Sequence, residues 1–200
     1  SSTLPSGAAN PASPIMCANG ITFSCGGQNI SGVEISAIGV TVSNCTFTGG
    51  VLLTGGHTMI DSTIRDNTFS GGWLTVFGHG NEIFGNVFER SASGQLPILQ
   101  SGGGITSYNN YFHDNAGSIL FELFGGIGAQ SMLIGDNQFA GATHIWIKGM
   151  NNVTIENNTF DYSDPSYFEY WDINVLNSDN ILIQYNLFTN SGSALSSPGT

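Results

Sequence analysis

Positive charge is scarce in this chain. Three Lys and Arg residues (Arg65, Arg90 and Lys148) stand against fourteen Asp and Glu residues, and the formal net charge at pH 7 is −11. Proteins that bind nucleic acid or an anionic bilayer neutralise phosphate groups with Lys and Arg side chains. The composition therefore argues against nucleic acid and anionic membrane surfaces as partners.

Charged residues of either sign and long apolar segments are also few. Charged residues make up 8% of the chain, about a third of the usual share, whereas Gly accounts for 28 of its 200 residues. Gly and the many Asn, Ser and Thr residues favour strands and turns over exposed helices. No apolar segment approaches the roughly 18 residues that cross a bilayer, and the first residues do not resemble a secretion signal. We therefore expect a β-rich chain that does not insert into a membrane.

Cysteine occurs three times, at Cys17, Cys25 and Cys45. An odd number leaves either one free thiol or one intermolecular bridge. We predict a disulfide between Cys17 and Cys25, because the turn at Asn19 and Gly20 could close the short loop between them. No fourth side chain with the spacing of a metal ligand accompanies the cysteines, so we predict no metal and no cofactor, and nothing in the sequence supports Ca²⁺.

One short pattern occurs seven times along the chain: an aliphatic residue, two or three mostly polar residues, Asn, any residue and Phe. The Phe residues of the seven copies are Phe47, Phe69, Phe88, Phe112, Phe139, Phe160 and Phe188. The Asn residues two positions earlier are Asn67, Asn86, Asn110, Asn137, Asn158 and Asn186, with Cys45 in the first copy. The separation of successive Phe residues varies from 19 (Phe69 to Phe88) to 28 (Phe160 to Phe188), which is typical of a solenoid whose coils carry loops of different length. Equivalent strands would then stack about 4.8 Å apart, with Asn and Phe in continuous inward columns.

These columns, together with phrases such as NNVTIENNTF from Asn151 and SDNILIQYNLF from Ser178, resemble the parallel β-helix of the pectate-lyase-like superfamily. The resemblance implies an all-β, right-handed parallel β-helix of about seven to eight coils over residues 20–200. Residues 1–19, which are rich in Pro, Ser and Ala, would precede it as an extended arm. The resemblance leaves function open, because the superfamily includes lyases, glycosidases, epimerases, tailspikes, adhesins and structural surface proteins.

Each coil is also predicted to contain a second strand that ends at a turn rich in Gly or Asn. Alternation places its aliphatic residues inward and leaves an outward row that is largely apolar. This row comprises Trp73, Phe77, Leu120, Phe124, His144, Trp146, Lys148 and Leu176. A strand that is apolar on both faces is normally covered on both, so we expect a second subunit, the N-terminal arm or a sugar chain to lie on this row.

Two groups of side chains are candidates for general acid and base chemistry. If successive copies of the pattern stack in register, Glu89 lies near His113 and Arg90 lies near Asp114. The same arrangement could equally form two surface ion pairs. Glu122 and Asp172, beside the outward row, form the second group.

Four asparagines match the N-glycosylation pattern Asn-x-Ser/Thr: Asn29, Asn44, Asn152 and Asn157. In a chain this rich in Asn and Thr, some matches are expected by chance.

Two functions from different classes are consistent with these features. The first is a non-catalytic structural protein of the extracellular space, the cell surface or the virion surface, which self-associates through the outward row and the arm into a fibre or trimer. The second is a polysaccharide-active enzyme, either a lyase or a glycoside hydrolase, or a glycan-binding module of the same fold. Lyases of the superfamily use basic side chains, and their scarcity here favours the first function.

Overall fold

The structure is a computed structural model that describes residues 2–3, 15–16, 19–35, 37–53, 59–76, 78–102, 109–125, 130–141, 144–161, 173–189 and 195–196. All regular elements of these residues are β-strands. The described part of the chain contains no helix long and apolar enough to cross a membrane. Most of the predicted arm, residues 1–19, lies outside the described residues, and its described parts include the short strands β1 (Ser2–Thr3) and β2 (Ile15–Met16).

Within the described residues, the first sheet has nine strands, and neighbouring strands are parallel. In order they are β1, β3 (Thr22–Ser24), β5 (Thr41–Ser43), β8 (Thr63–Arg65), β12 (Glu82–Phe84), β15 (Asn110–His113), β18 (Gln130–Gly135), β21 (Asn151–Glu156) and β24 (Leu182–Gln184).

The second sheet has 15 strands in the part of the chain that the structure describes, and most of them form two arms that meet at β6 (Thr46–Leu53). The first arm continues through β9 (Thr68–Ser70), β13 (Val87–Glu89), β16 (Ala116–Gly117), β19 (Gln138–Ala140), β22 (Thr159–Asp161) and β25 (Leu187–Thr189). The second arm continues through β10 (Trp73–Val76), β14 (Ile98–Gly102), β17 (Leu120–Phe124), β20 (His144–Lys148), β23 (Ile173–Leu176) and β26 (Leu195–Ser196). β4 (Asn29–Ile35) pairs with β6 and with β2, and β7 (Met59–Ile60) pairs separately with β11 (Gly78–His79).

Each regular coil contributes one strand to the first sheet and one to each arm of the second. The stacked coils form a parallel β-solenoid of about five turns, which confirms the predicted fold class. The number of turns is slightly lower than the predicted seven to eight coils. The coils near the N-terminal end are less regular, since β4 and β6 pass through the bend between the two arms as single long strands.

A ladder of Asn side chains runs along the corner between the first sheet and the first arm. Its members are Asn67, Asn86, Asn115, Asn137, Asn158 and Asn186. Each Oδ1 after the first accepts hydrogen bonds of 2.8–3.1 Å from the backbone N–H and the side-chain Nδ2 of the previous member. Each Nδ2 also donates to a backbone carbonyl of the preceding coil. These bonds allow the first five amides to be 98–99% buried without an unsatisfied polar group.

The fourth copy of the sequence pattern is out of register with the others. Phe112 lies in the first sheet, where it pairs with Ile83 and Ile134, and it does not pair with Phe88 of the first arm. The prediction that Phe112 continues the strand column of Phe88 is therefore wrong. Its ring still packs in the core, with Phe121 edge-on at 4.8 Å.

Gly117 occupies the place in the first arm that the pattern predicts for Phe. It lies between Phe88 and Phe139, and a Cβ at Gly117 would meet the Phe88 carbonyl oxygen at 1.9 Å. The backbone φ of Gly117 is +109°, which other residues rarely adopt. The shift also means that Asn115, and not Asn110, belongs to the Asn ladder.

The disulfide bond joins Cys25 and Cys45, whose Cα atoms are 4.7 Å apart. The predicted bond between Cys17 and Cys25 is therefore wrong, and Cys17 itself lies outside the described residues. Cys25 follows β3 and Cys45 follows β5, and the pairing of these strands brings both cysteines to the same corner. The prediction failed because it assumed that a local turn brings the two cysteines together. The observed bond instead joins residues 20 positions apart, which coil stacking places side by side.

Candidate functional site

The outer face of the first sheet carries a stack of three rings. Because Phe112 faces the core, the flanking residues Tyr111 and His113 face outward. The His113 ring stacks on Phe84 at 5.1 Å and on Tyr111 at 3.9 Å between centroids. Phe84 belongs to the preceding coil, whereas the Tyr111 ring leans over Gly135 of the following coil, so the imidazole lies between the two rings.

Both nitrogens of His113 contact carboxylates. Nε2 lies 2.8 Å from Oε1 of Glu82, and Nδ1 lies 2.7 Å from Oδ2 of Asp114. An ionised carboxylate only accepts hydrogen bonds, so both contacts are hydrogen bonds when both ring nitrogens carry a proton. The His113 side chain is only 13% exposed. With both faces and both nitrogens occupied, the imidazole is held rigidly in place.

The Tyr111 hydroxyl lies in an acidic environment. It donates a long hydrogen bond of 3.5 Å to Oδ2 of Asp136. The pKa of Tyr111 is raised above the ordinary tyrosine value of 10.0, mainly because the side chain is partly buried. The charges of Asp136 and Asp114 raise this pKa further. The hydrogen bond to Asp136 and the charge of Glu156 act in the same direction. The charges of three carboxylates from successive coils therefore act on one phenol.

A groove of about 570 Å³ begins at Tyr111 and crosses the following coils. We call it the Tyr111 groove, and its lining is Asn109, Asn110, Tyr111, Ser131, Met132, Leu133, Asn152, Thr154, Glu156 and Leu182. Leu182 at its far end is 47% exposed, and the Glu156 carboxylate accepts a 2.7 Å hydrogen bond from Gln184. The lining combines an aromatic ring, apolar side chains, amides, hydroxyls and one carboxylate, and it contains no basic residue.

The outward row predicted on the second strand is a separate surface, on the second arm. Trp146 is 37% exposed and Lys148 is exposed, whereas Leu120, Phe124, His144 and Leu176 are half-buried. Trp146 contacts Phe124 edge-on at 6.0 Å. The side chains of Trp73 and Phe77 lie outside the description, so their predicted orientation stays a prediction.

A shallow pocket of about 320 Å³ lies at the end of this row. Phe124, Gly125, Lys148, Gly149 and Asn177 line it. It therefore places one ammonium group next to an aromatic ring and an amide. This pocket was not predicted from the sequence, because Asn177 and the two glycines belong to turns whose neighbours are set by coil stacking.

The structure does not bring Glu89 and His113 together. Glu89 pairs with Ser70 in the first arm, whereas His113 pairs with Phe84 in the first sheet. The predicted proximity of these two side chains is wrong because it assumed that the strand of Phe112 pairs with the strand of Phe88, whereas Phe112 pairs with Ile83 in the first sheet.

The predicted pair of Arg90 and Asp114 fails for the same reason. The Arg90 guanidinium donates to the Gly94 carbonyl at 3.4 Å, and Asp114 contacts His113 instead. The partner of His113 that was not predicted from the sequence is Glu82. In the first sheet Glu82 pairs with Tyr111, as Ile83 pairs with Phe112.

Of the second predicted acid and base group, Glu122 is half-buried and accepts a 3.3 Å hydrogen bond from Gln100 of the neighbouring strand. Asp172 lies outside the described residues. Among the residues that the structure describes, no group of three or more His, Cys, Asp and Glu side chains is arranged to hold a metal ion.

The four asparagines that match the N-glycosylation pattern, Asn29, Asn44, Asn152 and Asn157, are all exposed.

Comparison with protein-family models, with curated proteins and with solved structures finds no match to this chain. Its candidate sites must therefore be interpreted from their own chemistry.

Proposed function

We propose that the protein is a non-catalytic β-solenoid of the extracellular space, the cell surface or the virion surface, and that it binds a polysaccharide in the Tyr111 groove. The observation that carries the proposal is the groove itself, an open cleft of about 570 Å³ that begins at an aromatic ring and crosses several coils. Ligand sites of this size commonly combine apolar and aromatic walls with a few polar groups that orient the ligand. A sugar chain presents apolar ring faces and hydroxyl groups, which match such a lining.

The negative charge of the groove and of the whole chain limits which polysaccharides are expected to bind. The groove is lined by Glu156, Asp136 lies next to Tyr111, and the whole chain carries a net charge of −11. Polymers of uronic acids would be repelled. Neutral or amine-bearing glycans are therefore the expected ligands.

The non-catalytic part of the proposal rests on the state of the His113 cluster. This cluster combines an imidazole with two carboxylates, yet Glu82 and Asp114 occupy both imidazole nitrogens and the neighbouring rings cover its faces. A general base needs a nitrogen that can reach the substrate. The extracellular part is supported by the Cys25–Cys45 disulfide, which is the kind of bond that persists in oxidising compartments.

Two exposed leucines of the last described coil provide a matched test. Leu182 lines the groove and is 47% exposed, whereas Leu187 lies on the first arm and is 56% exposed. We expect Leu182→Ala to weaken binding of the best ligand about tenfold, which corresponds to about 1.4 kcal/mol, and Leu187→Ala to leave it unchanged. The measurement is calorimetry with neutral, amine-bearing and uronic oligosaccharides. Equal effects of the two changes, or no binding by any glycan, would contradict the groove.

An enzymatic assay tests the non-catalytic part separately. Incubation with the same glycans should release neither new reducing ends nor unsaturated products. Release of product that is abolished by Glu82→Gln or Glu122→Gln would show that the protein is an enzyme.

Self-association through the outward row is a second candidate function. It is favoured by Trp146, which is 37% exposed on a face that also carries Leu120, Phe124 and Leu176. Light scattering after size-exclusion chromatography should show an oligomer that Trp146→Ser dissociates and Tyr185→Ser, at a 78% exposed aromatic residue on another face, does not. A mass of 21.0 kDa at all concentrations would exclude this candidate.

A further inference from the structure

Three of the asparagines that match the N-glycosylation pattern stand at exposed bends of the solenoid. Asn44 and Asn157 occupy the corner that follows the first sheet, and Asn152 occupies a bend within β21, directly before its inward residue Val153; we call these three residues the corner asparagines. Their φ angles are 54°, 57° and 56°. Asn tolerates this left-handed conformation better than most residues, which explains its presence at these corners.

Each corner asparagine has a Thr two residues later on the outer face of a strand. These residues are Thr46 after Asn44, Thr154 after Asn152 and Thr159 after Asn157. The three threonines are half-buried, whereas the residue in the middle of each triplet is buried in the core. The amide and the hydroxyl of each Asn-x-Thr triplet therefore lie at the surface, on either side of an inward residue.

The ladder asparagines show the opposite arrangement. Asn67, Asn137 and Asn158 are 1–2% exposed, and the residue two positions later is an inward Phe in each case. A bulky group on one of these amides would destroy the ladder. These three ladder asparagines are therefore not acceptor sequences, whereas each corner asparagine is followed two positions later by Thr.

The corner amides also contribute little to the fold. Within the described residues, the side chains of Asn152 and Asn157 make no hydrogen bond that the ladder or the sheets depend on. The Asn44 amide donates one long hydrogen bond of 3.4 Å to Oγ of Ser43. Replacement of one amide hydrogen at these positions would therefore leave the core bonds intact.

We propose that Asn44, Asn152 and Asn157 are N-glycan acceptors when the chain passes through a secretory pathway that performs this modification. The co-reactant is an oligosaccharide linked to a lipid diphosphate. A bond forms between the Asn Nδ2 and the anomeric carbon, the bond between that carbon and the diphosphate oxygen breaks, and the amide nitrogen loses one proton. The Cys25–Cys45 disulfide is consistent with the same oxidising compartment.

The fourth match, Asn29, is left out of the proposal for a geometric reason. Asn29 begins strand β4 and pairs directly with Thr46, which belongs to the Asn44 triplet. A glycan on Asn29 would compete for space with one on Asn44. This inference does not depend on the Tyr111 groove or on its ligand.

The test is secretion of the full chain from cultured eukaryotic cells, followed by mass spectrometry before and after enzymatic removal of N-glycans. Deglycosylation converts each modified Asn to Asp, so the three sites can be mapped directly on the wild-type chain. We expect the majority of molecules to be modified at Asn44, Asn152 and Asn157, and none at the ladder residue Asn158. A secreted, folded chain in which these three corner asparagines are unmodified would overturn the proposal.

Paired variants separate the acceptor sequence from the fold. Thr154→Ala should remove the glycan at Asn152 and leave the one at Asn157, and Thr159→Ala should do the reverse. Thr154→Ser and Thr159→Ser keep the hydroxyl and should keep both glycans. Persistence of a glycan after its Thr→Ala change would show that the assigned site is wrong.

Discussion

Tyr111 packs against Gly135 of the next coil, where a Cβ would stand 3.6 Å from the ring carbon Cε2. This contact leaves the Tyr111 hydroxyl beside Asp136, and burial and the nearby carboxylates raise its pKa above 10.0. The unfolded chain releases this proton at a lower pH than the folded chain. The contribution of Tyr111 to stability is therefore complete below about pH 10 and is lost as the pH rises through the folded-state pKa.

Tyr111→Phe should accordingly change how stability depends on alkaline pH. Above about pH 10 the free energy of unfolding should fall more steeply in the wild-type protein than in Tyr111→Phe. Urea denaturation at a series of pH values measures the difference. Tyr185→Phe, at an exposed tyrosine, is the control, and parallel curves for wild type and Tyr111→Phe would contradict the expected linkage.

Two glycines of neighbouring coils should respond differently to the same small change. Gly117→Ala forces a Cβ to within 1.9 Å of the Phe88 carbonyl oxygen at a φ of +109°, and we expect a loss of about 3 kcal/mol or more. Gly135→Ala brings its Cβ only to 3.6 Å from the nearest atoms and should cost less than about 1 kcal/mol. Thermal and urea unfolding of both variants tests this. Similar losses would mean that Gly117 does not hold the place in the first arm that the structure assigns to it.

Removal of an interior amide of the Asn ladder should be severe. Asn137 donates to the Phe112 and Gly135 carbonyls and bonds Asn115 and Asn158 on either side. Asn137→Ala leaves several buried groups unsatisfied at about 1–3 kcal/mol each, so we expect a loss above about 3 kcal/mol.

The exposed Asn29 supplies the control for this change. Asn29→Ala should lie within about 0.5 kcal/mol of wild type in the same unfolding experiment. If Asn137→Ala were equally mild, the ladder would not stabilise the solenoid.

Reduction of the Cys25–Cys45 bond should destabilise the N-terminal coils. The bond closes a loop across a sequence separation of 20, for which we expect a contribution of about 3 kcal/mol. Unfolding of Cys45→Ser with and without reductant measures it, since reductant should weaken the wild type and leave the variant unchanged. Peptide mapping under non-reducing conditions should recover residues 25 and 45 in one linked product, and recovery of a Cys17–Cys25 link would refute the pairing.

Most of the architecture could be predicted from residues close together in the chain. The alternation around Ile64, Ile83 and Ile155 predicts inward strand residues, and the recurrence of Asn before Phe predicts columns that only stacked coils can satisfy. These signals are local and repeated, so one irregular copy does not obscure them. The solenoid is therefore predictable without knowledge of any single contact.

The candidate site was less predictable, because it depends on the one copy that breaks the pattern. The sequence around Phe112 matches the repeat. In the structure, however, Asn115 takes the Asn position of the ladder and Gly117 takes the Phe position of the first arm. Shifting Phe112 into the first sheet is what turns Tyr111 and His113 outward together. No rule based on neighbouring residues distinguishes the register that uses Asn110 and Phe112 from the one that uses Asn115 and Gly117. In both, an inward residue follows an Asn by two positions.

The repeated spacing of Asn, Phe and aliphatic residues is thus sufficient to specify a stacked β-solenoid with a polar ladder inside it, because each coil buries its apolar face only against a copy of itself. The partners of Cys25, Phe112 and His113 were settled by the folded chain alone. These partners depend on contacts between coils. Gly117 has no Cβ and so leaves room for the Phe88 carbonyl, and the stacking of coils places Cys45 next to Cys25. Such contacts join residues that are distant in sequence. Because the loop length varies from coil to coil, no fixed sequence spacing predicts which residues meet.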